Sequence, residues 1–130
     1  MMKVKYALIF DALVLLVVAV GCFFNMTWVH NMLGIPFAPD NVFFCQLLGA
    51  AVFGLALQNW LVRKIDELEK LRIILLANFL GHGAAFIIFL ASKLSGAGDA
   101  TMWLAIGYTL LATLLFGYFL DRPQMQPKHA

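Results

Sequence analysis

Asp11 and His82 are ionisable side chains set inside long apolar stretches of the chain. An ionisable group at membrane depth costs about 2.5–3.5 kcal/mol on insertion scales, so it normally faces protein and has a partner. Asp11 falls about 9 Å from the start of its apolar stretch at ~1.5 Å per residue. Asn78, Gln58 and Thr113 fall at comparable depth in three other stretches. Asp11, Asn78, Gln58 and Thr113 are therefore expected to form one polar layer, with Asn78 the first partner of Asp11 and Gln58 the second. His82 follows Asn78 by one turn, about 6 Å further along the axis, which predicts a contact with Asp11 through water. Two chemistries suit such a group. One is a proton or cation site, with a relay His82–Asn78–Asp11. The other is a structural hydrogen-bond cluster around a neutral Asp11, since interhelical polar contacts are ordinary glue in membrane bundles.

His82 lies in Gly81-His82-Gly83, where the glycines would leave room for a flat macrocycle, so a haem or chlorophyll ligand is a further reading. A second axial histidine at depth is missing, because His30 and His129 fall outside the apolar stretches. Otherwise no cofactor and no metal site is expected. Cys22 and Cys45, the only two cysteines, form a potential disulfide pair if their Cα atoms come within about 7 Å. The chain carries no nucleophile elbow, phosphate loop, HExxH or paired carboxylate motif, so no enzyme activity is indicated.

The elements that must position these residues follow from composition. The 130 residues are 63% hydrophobic and 12% charged, against roughly 45–50% and about 25% in soluble domains. A chain of this size cannot bury that much apolar surface in water. Four segments, residues 4–24, 42–62, 72–92 and 101–120, each approach the ~20 residues needed to cross a bilayer as a helix. The expected fold is all-α: a single-domain, integral membrane four-helix transmembrane bundle over residues 1–130. Lys3 and Lys5 before an apolar run resemble an export signal, and Ala19-Val20-Gly21-Cys22 a lipoprotein box. Asp11 within that run argues instead for a retained first spanning helix.

Lys3, Lys5, Arg63, Lys64, Lys70, Arg72, Arg122 and Lys128 fall on one side of such a bundle, and Lys93 on the other. The positive-inside rule then predicts cytoplasmic N- and C-termini, in what reads as a bacterial inner membrane. The net charge of +2 and the absence of a basic run give no indication of nucleic acid. The outer loop 25–41, with Trp28, Pro36, Phe37 and Pro39, is expected to lie along the membrane surface. Asp40 and Asn41 are predicted to cap the second helix, and Asp99 or Thr101 the fourth. Tyr6, Trp60 and Tyr118 suit one interfacial belt, and Trp28 and Trp103 the other. Small residues recur in rows (Ala77, Gly81, Ala85; Ala50, Gly54; Ala105, Thr109, Thr113, Gly117) that would let helices approach closely, within the chain or in an oligomer.

The stretch Gln46-Leu47-Leu48-Gly49-Ala50-Ala51-Val52-Phe53-Gly54-Leu55-Ala56-Leu57-Gln58-Asn59-Trp60-Leu61-Val62-Arg63, preceded by Leu33-Gly34-Ile35-Pro36, resembles the second helix of small bacterial four-helix families, the DoxX-like proteins and related families. That resemblance implies a membrane protein tied in some members to redox or stress systems, and transfers no catalytic residue. The function expected from the sequence is a non-catalytic accessory or interaction subunit of a membrane complex. The rivals are a small proton-coupled carrier or channel acting as a homo-oligomer, and a pigment- or haem-carrying subunit through His82. The partners expected are the lipid bilayer and a membrane protein, or a second copy of the chain.

Overall fold

A computed structural model describes residues 2–121, all helix and connecting turns. Five helices run in order: α1 (Met2–Phe24), α2 (Met26–Leu33), α3 (Val42–Val62), α4 (Leu68–Leu94) and α5 (Met102–Asp121), with a 3-10 turn at Pro39–Asn41 before α3. α1, α3, α4 and α5 are the four helices long and apolar enough to cross a membrane. Helix is the form that satisfies every backbone group within one segment when the surroundings supply no water. The predicted charges Arg122 and Lys128, and His129, lie outside the described residues.

Each spanning helix turns one stripe inward. On α1 the buried positions are Val4, Ala7, Leu8, Asp11, Ala12, Leu15, Ala19, Gly21 and Cys22, the helical spacing of a single face. On α4 they are Leu71, Leu75, Asn78 and His82, and on α5 Met102, Ile106, Thr109, Ala112 and Phe116. The opposite faces carry large exposed apolar side chains, among them Phe10, Phe44, Ile73, Ile87 and Leu104, as lipid requires. α1 packs along α3 and α4 along α5, and the two pairs meet over Val4, Leu8, Val62, Leu71, Leu75 and Phe116.

Two glycines set close approaches. At Gly49 a Cβ would stand 2.7 Å from the Cβ of Cys22, so only hydrogen lets α3 lie this near α1. Gly34 ends α2 in the left-handed region at φ 66°, and a Cβ there would collide with Asp99.

α4 begins four residues before the predicted 72, because 68–71 continue the helix and Glu69 in its first turn suits the N-terminal dipole. The surface-lying loop is in part a helix, α2, whose N-cap Asn25 accepts from the Trp28 N–H at 3.2 Å. Asn41 occupies the N-cap of α3 but makes no capping bond with its side chain, because the 3-10 turn closes that end through the backbone. Asp99 does serve the start of α5, accepting from the Thr101 N–H at 2.8 Å and its hydroxyl at 2.6 Å. The Thr101 hydroxyl also reaches the Asn31 carbonyl at 2.9 Å, and Lys93 donates to the carbonyls of Gly98 and Asp99. These contacts join the two loops at one end of the bundle.

Candidate functional site: a buried carboxylate–imidazole cluster

Asp11 is 2% exposed and sits among polar groups drawn from all the other spanning helices. Its Oδ2 accepts from Asn59 Nδ2 of α3 at 2.7 Å, and its Oδ1 accepts from the Tyr108 hydroxyl of α5. His82 Nε2 of α4 lies 3.1 Å from Oδ1 and 3.2 Å from Oδ2, bridging both oxygens. Side chains from three different helices thus converge on one carboxyl.

A second tier holds the donors in place. Asn59, fully buried, accepts from Asn78 Nδ2 at 2.7 Å through its Oδ1. Its Nδ2 also lies 3.4 Å from Asn78 Oδ1, so the two amides face each other across α3 and α4. The His82 ring stacks on Phe116 with centroids 5.7 Å apart at 11°, and meets Tyr108 edge-on at 5.7 Å and 88°. Its imidazole plane is thereby fixed with Nε2 toward the carboxyl. Among the described residues His82 Nδ1 makes no hydrogen bond.

Of the predicted layer, Asp11, Asn78 and His82 come together. His82 reaches Asp11 directly, where a water-bridged contact was expected. Asn78 reaches Asp11 only through Asn59. Gln58 is half-buried and makes none of these bonds, while its neighbour Asn59 occupies the place predicted for it. Thr113 turns its hydroxyl to the Thr109 carbonyl of its own helix at 2.7 Å, the usual back-bond of a helical threonine. Asn59 and Tyr108 are the members that sequence reading missed. α3 is apolar all round, so its rotation could not be read from periodicity, and Tyr108 looked like one more aromatic of an apolar helix.

A haem or chlorophyll fits His82 poorly: Nε2 is engaged with Asp11 and one ring face lies on Phe116. Cys22 and Cys45 are buried free thiols that face each other across α1 and α3, packed with Val29 in one apolar cluster. Among the described residues no group of three or more His, Cys, Asp or Glu side chains is arranged to hold a metal. The row Thr113 and Gly117 faces α4, with Phe79 3.1 Å from where a Gly117 Cβ would stand, whereas Gly54 and Gly81 face outward with nothing within 4 Å. Comparison of the chain with protein-family models, curated proteins and solved structures gives no match.

Proposed function

We propose that this chain is a small proton-coupled membrane carrier or channel whose working group is the Asp11–His82 pair. The observation that carries the reading is the convergence of α3, α4 and α5 donors on one buried carboxyl of α1. A structural cluster needs only matched hydrogen bonds; this one sets a carboxyl against an imidazole, and intramembrane ionisable residues mark proton relays.

The relay balances as a single proton shift. A proton arriving at His82 Nδ1 forms an N–H bond there, the Nε2–H bond breaks, and that proton forms an O–H bond on Asp11. Protonated Asp11 donates to the same Nε2, which has become an acceptor, so Asn59 and Tyr108 keep their bonds to the carboxyl in both states.

The test is proton flux into vesicles holding a pH-sensitive dye under an imposed potential, with pH-difference infrared spectroscopy on the same protein. The wild type should pass protons and show a carboxyl band that titrates. Asp11→Asn should keep the bundle, lose the band and reduce flux by at least about tenfold, a Brønsted-type loss of the relay group. Equal flux in the two proteins would overturn the reading.

One observation favours a working assembly. Ala50 and Gly54 on α3, and Ala77 and Gly81 on α4, are exposed, and small residues of this kind let another helix approach. Purification in mild detergent separates the two forms of assembly: a lone homo-oligomer supports the carrier, and co-purifying larger subunits support an accessory subunit. We place the protein in a bacterial inner membrane with both termini in the cytoplasm, on the strength of the lysine and arginine asymmetry. An impermeant thiol reagent that labelled a cysteine placed at Glu67 from outside intact cells would reverse this orientation.

A further inference from the structure

At the lysine- and arginine-rich end of the bundle, a cavity of about 460 Å³ opens between α1, α3 and the turn before α4. That volume falls within the range of small-molecule sites. Its inner wall is aliphatic: Val4, Leu8, Val62 and Leu71, all buried. Its mouth carries Lys5, Arg63 and Lys64 against a single acid, Asp66. Among the described residues neither Lys5 nor Lys64 takes part in an ion pair. Arg63 is held differently: its guanidinium sits 3.7 Å over the Trp60 ring and donates to the Trp60 carbonyl, which fixes a third positive charge beside the cavity. Exposed Trp60 and Tyr6 flank this end, the aromatic signature of a membrane interface.

An apolar wall with a cationic mouth at an interfacial level matches one kind of molecule, an amphiphile with an anionic head. We propose that this cavity binds the phosphate headgroup of an anionic phospholipid at Lys5 and Lys64, with the start of an acyl chain on Val4, Leu8 and Val62. Basic pockets between spanning helices on the cytoplasmic side recognise such headgroups, while a free phosphate would use the lysines and leave the aliphatic wall bare. The site is separate from the carboxylate cluster, since Leu8 closes its floor one turn before Asp11. Its occupancy does not depend on the proton reading.

The test is native mass spectrometry of the full chain released from nanodiscs containing phosphatidylglycerol and phosphatidylcholine with the same acyl chains. The wild type should retain phosphatidylglycerol at least about tenfold over phosphatidylcholine, and Lys5→Gln with Lys64→Gln should remove most of that preference, each lysine near an anionic surface contributing several-fold. Arg72→Gln, which removes a charge from the same end but outside the cavity, should leave it intact. Inorganic phosphate and glycerophosphate should fail to displace the lipid. Equal retention of the two lipids, or a loss with Arg72→Gln as large as with the lysine pair, would overturn the proposal. So would binding of inorganic phosphate with no retained lipid.

Discussion

His82 Nε2 stands 3.1 and 3.2 Å from the two carboxyl oxygens of Asp11, so one imidazole nitrogen spans both ends of a carboxylate carried by another helix. That symmetry means neither oxygen is reserved for His82. Asn59 and the Tyr108 hydroxyl take one oxygen each, and the imidazole lies between them. The arrangement ties α1 to α3, α4 and α5 through a single side chain.

Removing that side chain should therefore cost more than one contact. Asp11→Ala leaves the donors of Asn59, His82 and Tyr108 without their common acceptor. At about 0.6–1.7 kcal/mol for each of the three interhelical bonds, the loss should be about 2–5 kcal/mol. Asp11→Asn should lose far less, because the amide oxygen still accepts. Unfolding in mixed detergent micelles measures both, and an alanine variant as stable as the wild type would contradict the geometry.

Asn59 and Gln58 make a sharper comparison, being adjacent in sequence and different in surroundings. Asn59→Leu removes the bridge between Asp11 and Asn78 and leaves both buried groups short of a partner, at about 1–3 kcal/mol for each unsatisfied group. Gln58→Leu removes no bond of the cluster and should be near neutral. The same unfolding assay decides it, and equal effects of the two substitutions would count against the assigned rotation of α3.

The close approach of α1 and α3 at Gly49 can be read through the thiols. Cys22 and Cys45 face each other, so a membrane-permeant oxidant such as diamide should couple them, with loss of two hydrogens by mass. Gly49→Val places a side chain where the Cβ of Cys22 already is, and overpacking of this kind typically costs about 1–3 kcal/mol. The variant should lose coupling as well as stability. Coupling as fast as in the wild type would show that the helices do not depend on this glycine.

At the same end of the bundle the loop contacts carry a pH dependence. The Thr101 hydroxyl and backbone N–H hold the Asp99 carboxyl below its ordinary value of 3.8, with Lys93 adding to the effect. A lowered folded value means the ionised form is the one stabilised. The contribution is complete above pH ~4 and is lost as pH falls through the folded value. The protection of the Thr101 and Met102 amides, taken as the exchange rate relative to the intrinsic rate at each pH, should fall on acidification below pH ~4 in the wild type. In Asp99→Ala exchange should already be fast at neutral pH and lack that acid step.

The elements were readable because lipid imposes a blunt rule: a spanning helix must be long and apolar, and the chain has four stretches that are. The place of Asp11 on the inner face was readable too, since Val4, Leu8, Leu15 and Ala19 repeat at helical spacing around it. The choice of Asn59 over Gln58 was not, because these neighbours share a depth and differ only by the ~100° between successive residues of a helix. α3 has no polar face to fix that rotation. Tyr108 escaped for a related reason: its ring is apolar enough to pass for packing, and only the third dimension brings its hydroxyl to a carboxyl 97 positions earlier in the chain. α2 was missed because a short helix lying across the end of a bundle need be neither long nor wholly apolar.

The pairing of α1 with α3 and α4 with α5 has a consequence for how the molecule is made. Each pair is a hairpin of consecutive spanning segments, and each can leave the insertion machinery with its own partner already beside it. The polar residues divide between them: Asp11 and Asn59 in the first hairpin, Asn78, His82 and Tyr108 in the second. Neither hairpin alone offers its buried polar groups the full set of partners they have in the finished bundle. Until the second hairpin is in place, Asp11 has Asn59 beside it and lacks His82 and Tyr108, so the polar centre is completed only when both hairpins are present.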